Sequence, residues 1–262
     1  MKNLTLLSLL ILGFIACTGD EEDLLPVNFD AEVELSLWQT LPVAENNLQI
    51  LVTNVEAFDC QNTTMLSNFS SGSTNVDLEI LGFERPATCQ PGDGFITTAL
   101  DLTSEPDRFI NFTNQGVLTE GKLRISDRTA DITFSSIDND QLVELSINRI
   151  PEGLVWGYIN RTIDQSADIN ILLQQEFPDA LIEATAFDML PGSYGHFRID
   201  MNPVIDRYVL TEIAGETDLA QPILFRLNPD RWSDLSDFMI EAAEKSNFGY
   251  EIYNSQGAVI RN

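Results

Sequence analysis

Basic residues are scarce in this sequence: 14 Lys and Arg stand against 41 Asp and Glu, a formal charge of −27. A surface of that sign repels nucleic acid and anionic lipid head groups, and both are excluded as partners. Histidine is scarcer still, with His196 the only one. A zinc site on Cys60 and Cys89 would need further ligands, and the chain supplies a single histidine. A serine hydrolase would need His196 as its base, but the chain has no Gly-x-Ser-x-Gly elbow. Asp138, Asp140 and Glu144 lack the Asp-x-Asp-x-Asp-Gly core of a calcium loop and read better as an acidic turn. Glycoside hydrolysis needs a placed pair of carboxylates, and 41 acidic residues single out none. The sequence therefore offers no catalytic residue, no metal ligand and no cofactor.

It also lacks an apolar run of the roughly 20 residues that span a bilayer. What stands at the start is shorter: Lys2, then a nearly unbroken apolar stretch to Ile15, then Ala16 and Cys17. A basic start, an apolar core and a small residue at the cut are the parts of a secretory signal peptide. Phe14-Ile15-Ala16-Cys17 resembles the lipobox of bacterial lipoproteins, with Phe14 where an aliphatic residue is usual. The acidic run Asp20, Glu21, Glu22, Asp23 resembles the export tag of Bacteroidota surface lipoproteins. The resemblance implies a signal peptide over 1–16, lipid on Cys17, an acidic tether over 17–26, and a place on the outer membrane facing outward. The membrane is then a partner through the N-terminal lipid alone. Cleavage leaves 246 residues (262 − 16), and loss of Lys2 takes the charge to −28.

With Cys17 lipidated, Cys60 and Cys89 remain as a pair in an oxidising compartment, where a disulfide persists. Closing a loop of about 30 residues is worth roughly 3.6 kcal/mol in loop-closure entropy.

Period-two patterning dominates the first half. Val27, Phe29, Ala31, Val33, Leu35 and Leu37 alternate with polar residues, which predicts one strand. Further strands are predicted over Leu48–Phe58, Val76–Phe83 and Phe95–Leu102, with several short ones from Phe109 to Ile147. Turn residues punctuate them at Asn114-Gln115-Gly116, Glu120-Gly121 and Asp138-Asn139-Asp140. Strands without helix-period segments argue for an antiparallel β-sandwich of immunoglobulin-like type over 27–150. The stretch from Asp59 to Thr74, rich in Ser, Thr and Asn, is predicted to be a long loop. Its apolar Met65, Leu66 and Phe69 make it a candidate binding loop, anchored at its base by the Cys60–Cys89 bridge.

From Leu154 the pattern changes. Leu154–Ile159 is apolar on both faces, as a buried strand is. Ile169, Leu172, Leu173 and Phe177 follow at helical spacing, and Pro178 ends that helix. A hairpin is predicted over Ile182–Leu190 and Ser193–Asp200, turned at Pro191-Gly192. Strand, helix and hairpin recur at Ile223–Leu227, Trp232–Lys245 and Phe248–Arg261, with Asn228 as N-cap and Pro229 at the first helical position. Tyr208–Ile213 is an extra strand. This predicts an α+β domain over 151–262, built of two β-α-β-β units sharing one sheet.

Trp156 and Trp232 fall at core positions, whereas Trp38 breaks its strand's alternation and is expected at the surface. The function expected is a surface-anchored, non-catalytic module that binds an extracellular polymer such as a glycan, or an envelope protein. A secreted hydrolase of polysaccharide or peptide and a purely structural envelope component are the alternatives. A flat face with exposed aromatics favours binding, and a deep pocket of convergent acids favours hydrolysis.

Overall fold

A computed structural model of the chain describes residues 27–43, 48–103, 105–134, 145–160, 169–178, 189–202, 207–213, 220–246 and 248–262. Cys17, the tether to Pro26, and the acidic turn of Asp138, Asp140 and Glu144 lie outside them. Most of the described chain is strand, arranged in several sheets.

The alternating run that begins at Val27 makes two strands and not one. β1 (Val27–Phe29) pairs antiparallel with β6 (Asn75–Arg85), while β2 (Val33–Gln39) pairs antiparallel with β3 (Leu48–Asn54). The break at 30–32 lets one alternating sequence serve two sheets. β1 approaches β6 closely at Gly82, where a Cβ would lie 2.9 Å from the carbonyl oxygen of Phe29. The strand expected to run to Phe58 stops at Asn54. There the Asn54 amide donates to the Glu56 carbonyl at 2.6 Å and its Oδ1 accepts from the Ile96 N–H. Side-chain partners of that kind satisfy a backbone leaving its ladder.

The larger sheet holds β1, β5 (Thr64–Ser71), β6, β9 (Asp107–Asn114), β10 (Val117–Ile125), β11 (Thr129–Phe134) and β12 (Ser146–Asn148). β5 runs along one edge of β6, and β9 and β1 share the other. The smaller sheet is β2, β3 and β8 (Thr97–Leu102). One pair departs from the antiparallel expectation, for β6 and β9 are parallel. Parallel neighbours need a crossover. Here the chain leaves β6, contributes β8 to the small sheet, and returns as β9.

The two sheets share one core. Val33, Leu35, Ile50 and Val52 come from the small sheet, and Val76, Ile110, Phe112 and Leu123 from the large one. Each is essentially without solvent contact, and full burial of such a side chain contributes about 1.5–3 kcal/mol. Phe29, Phe58 and Phe83 close one end of this core, with ring centroids 4.9–5.9 Å apart.

The second core is built on β13 (Leu154–Asn160), whose residues 154–159 are all buried, as the two-sided apolar run predicts. β13 lies between β17 (Ala220–Arg226) and β18 (Gly249–Asn254), with β19 (Val259–Arg261) beyond β18. Helix α1 (Ile169–Glu176) and helix α2 (Trp232–Ser246) add Leu173, Leu235, Met239 and Ala243 to this core. The helices meet where Phe177, just past α1, packs edge-on against Phe238 at 5.8 Å. Asn228 caps as predicted, accepting from the Asp230 N–H at 3.1 Å, though it caps a short 3-10 turn (Pro229–Arg231) that leads into α2.

The hairpins do not share a sheet. β18 and β19 extend the sheet of β13, whereas β14 (Gly192–Ser193), β15 (Phe197–Asn202) and β16 (Arg207–Ile213) form a sheet of their own. Residues 181–188, the expected first arm of that hairpin, lie outside the described residues. The β14–β15 turn keeps Tyr194 in the second core and packs Gly195 against Trp38 of β2 and Ile147 of β12. A Cβ on Gly195, which has φ of +79°, would lie 3.1 Å from the Trp38 ring. Other bonds join the halves. The Ile150 N–H donates to Gln39 Oε1 at 2.7 Å, and the Val43 N–H donates to the Ser255 carbonyl at 2.8 Å. Val43 itself belongs to the second core.

Candidate functional site

Alternation on β6, β9 and β10 turns Val76, Leu78, Ile110, Phe112 and Leu123 inward. The same alternation turns Asp77, Glu79, Asn111, Thr113, Glu120 and Lys122 outward. The pairing register lines these up across the sheet. Ser70, Asp77, Asn111 and Glu120 form one row; Asn75, Phe109, Lys122 and Thr133 form another.

The rows are bonded laterally. Asp77 Oδ1 accepts from the Asn111 amide at 2.7 Å, and its Oδ2 accepts from the Ser70 hydroxyl at 3.4 Å and from the Asn75 amide. Glu79 accepts from the Asn68 amide at 3.0 Å. Three hollows follow one another over this face. The first, about 470 Å³, is lined by Asn68, Asp77, Glu79, Asn111 and Glu120. The second, about 390 Å³, shares Glu120 and adds Phe109, Lys122 and Arg124. The third, about 310 Å³, shares those last three and adds Asp107. Together they make a shallow trough. From the Glu79 row to the Asp107 row is three two-residue steps, roughly 20 Å at the rise of a strand. Such a surface offers a line of hydrogen-bonding groups and one aromatic ring, for Phe109 is 62 % exposed.

The candidate loop over 61–74 is a strand for most of its length. β5 pairs with β6 from Thr64↔Glu84 to Ser71↔Val76, with a bulge between Leu66 and Ser67. Met65, Leu66 and Phe69 are half-buried, and Met65 and Phe69 pack against the first core. Polar Ser67 and Ser71 share their inward face, and the bulge adds a residue, so the period is hidden in the sequence. Its base is as expected: Cys60 and Cys89 are joined, with Cα atoms 5.4 Å apart. The bridge flanks a ribbon of β4 (Phe58–Cys60) and β7 (Pro91–Gly94). Asn62 reinforces it, donating to the Thr88 carbonyl and accepting from the Gln90 N–H, both at 2.9 Å.

His196 lies away from the trough, between the halves. Its ring centroid is 4.4 Å from Trp38 and 6.0 Å from Trp156. Burial lowers its pKa, and a bond to the Gln39 carbonyl partly opposes that. Trp38 is therefore a half-buried packing partner and not the exposed ring expected. Trp156 is buried and Trp232 is partly buried against the second core, as their positions predict.

Sequence reasoning missed a cluster on β13 and β18. The Tyr158 hydroxyl donates to Glu251 at 2.7 Å and the Tyr253 hydroxyl donates to its other oxygen at 2.5 Å. The two bonds, that of Tyr253 foremost, hold the Glu251 carboxyl below its usual range, and burial with Glu251 pushes Tyr253 up to about 12. A carboxylate so held is a structural acceptor. Among the described residues no group of three His, Cys, Asp or Glu is placed to hold a metal ion, and no helix is long and apolar enough to cross a membrane. Comparison with protein-family models, curated proteins and solved structures finds no match for this chain.

Proposed function

We propose that this chain is a lipid-anchored protein of the bacterial outer surface that binds an extracellular polysaccharide in the trough of its large sheet, without catalysis. The lipobox-like Cys17 and the acidic residues after it support the location. The observation that carries the binding role is the trough itself. It is open and elongated, and its amides and carboxylates are fixed by one another before any ligand arrives, which lowers the entropy lost on binding. Asp77 is engaged by three side-chain donors, which fixes the row from Ser70 to Asn111 in place, and the exposed Glu79 carboxylate beside it can accept from sugar hydroxyl groups. In finer terms, the region over 27–150 is an immunoglobulin-like sandwich whose outer face binds. The region over 151–262 is an α+β domain of two β-α-β-β units, the first with its hairpin turned toward the sandwich.

The mature chain, applied to a microarray of plant, algal and microbial cell-wall polysaccharides, should retain at least one polymer. Glu79→Ala with Asn111→Ala should weaken that binding tenfold or more, with the thermal unfolding profile retained. Retention of no polymer, or capture of an envelope protein with the array blank, would refute the reading.

A further inference from the structure

Cations are few on this protein, and most of those described are engaged. Arg85 pairs with Asp59 at 3.5 Å and Arg198 with Asp200 at 3.1 Å, while Arg231 pairs with Asp234 and Lys245 with Glu241. Arg108 is buried and bonded to Ser71 and Thr103, and Arg149 donates to the Ser126 carbonyl at 2.8 Å. Lys122 and Arg124 differ. They lie two residues apart on the outer face of β10, both are exposed, and neither side chain makes a hydrogen bond or ion pair among the described residues. Side chains at that spacing on one face of a strand stand about 7 Å apart. Phe109 is the cross-strand partner of Lys122, so an exposed ring adjoins two unengaged cations. All three line the second and third hollows.

From this juxtaposition we infer that the polysaccharide carries uronic acid: one carboxylate is received by Lys122 and Arg124, while a sugar ring lies on the face of Phe109. The inference rests on the polysaccharide-binding reading above and names the class of sugar. A guanidinium offers two parallel N–H donors that match a carboxylate, and an adjacent ammonium adds a second charge. Asp107 and Asp131 stand opposite Arg124 on the flanking strands. Asp131 is occupied by the hydroxyls of Thr129 at 3.0 Å and Ser146 at 2.5 Å, which leaves Asp107 as the local competitor.

The same face limits how much charge the ligand carries. Glu120 stands two residues from Lys122 on β10, and Asp77 and Glu79 line the hollow beyond it. A polymer with a carboxylate on every ring would set anions against those three groups. The fit is to sparse uronate among neutral sugars. The general negative charge of the protein is screened beyond about 8 Å at physiological ionic strength, so the contact pair decides.

The test titrates the mature chain in 0.15 M NaCl with four probes. They are glucuronoxylan, the same polymer with its carboxyls reduced to alcohols, polygalacturonate, and a sulfated galactan. Glucuronoxylan should bind at least tenfold tighter than its reduced form and tighter than either polyanion. Lys122→Ala with Arg124→Ala should bring glucuronoxylan down to the level of the reduced polymer, and Phe109→Ala should weaken both. Equal binding of native and reduced xylan overturns the inference. If Glu79→Ala with Asn111→Ala still impairs that binding, the polysaccharide-binding reading stands without it. Preference for polygalacturonate or the sulfated galactan overturns sparse uronate as the ligand. Binding of none of the four, while the array retains another neutral polymer, overturns the inference alone; a blank array overturns both.

Discussion

The imidazole Nε2 of His196 lies 2.9 Å from the main-chain oxygen of Gln39, 157 residues earlier in the chain. The carbonyl can only accept, so Nε2 carries the hydrogen and Nδ1 is free of it in the neutral ring. Because burial, the larger effect, lowers the folded-state pKa below the ordinary histidine value of 6.5, the unfolded chain binds the proton more readily. The stability this residue contributes is therefore complete above about pH 6.5 and is lost progressively as pH falls toward the folded-state value. His196→Gln keeps a donor but cannot titrate. The difference in urea midpoint between wild type and this variant should shrink or reverse from pH 7.5 to pH 5. A difference independent of pH would contradict the assignment.

Removal of the disulfide should be costly. The Cys60–Cys89 crosslink spans 29 residues of sequence, and Cys60→Ala with Cys89→Ala should lower unfolding free energy by about 3–4 kcal/mol. Reductant should have a comparable effect on the wild type. An unchanged urea midpoint after reduction would show that the ribbon of β4 and β7 holds without it.

Arg108 is 3 % exposed and bonded only to neutral groups, among them Thr103 Oγ1 at 2.6 Å, the Thr103 carbonyl at 2.7 Å and Ser71 Oγ at 2.9 Å. Its fork ties the end of β5 to the connection between β8 and β9. Lysine supplies the charge without the fork, so Arg108→Lys should destabilise by about 2–3 kcal/mol. Equilibrium denaturation checks it; a loss within about 0.5 kcal/mol, typical of a surface change, would mean the geometry is dispensable.

For the anchor, mass spectrometry of the mature N-terminus should find acylated Cys17, and Cys17→Ala should leave an unprocessed or mislocated protein. A first residue elsewhere, without lipid, removes the lipoprotein assignment.

Much of the strand content was legible because burial imposes a period of two, which β2, β6 and β9 carry openly in Val, Leu, Ile and Phe, and because β13, buried on both faces, reads as an unbroken apolar run. Two kinds of feature were not. The break between β1 and β2 leaves the alternation intact, so nothing in 27–37 marks the change of sheet. β5 earns its place by backbone pairing with β6, while Ser67 and Ser71 fill inward positions that an apolar pattern would have revealed. The disulfide followed from counting cysteines. The trough did not, because its polar residues are the unremarkable outer half of each strand. Register across four strands gathers Asn68, Asp77, Asn111 and Lys122, and that register depends on a parallel pair that only the crossover through β8 creates.

The bond from Val43 to Ser255 sets an order of events. Residue 43 leaves the ribosome more than 200 residues before its partner, yet the second core includes it. A chain cut near residue 150 would give a C-terminal piece with an unfilled seat in its core and an N-terminal piece with an uncovered valine. Early-made sequence must wait for late-made sequence, and long-range closure of this kind slows folding. If residues 1–16 serve as the proposed export leader, that delay would keep the polypeptide threadable until its last strand had been delivered.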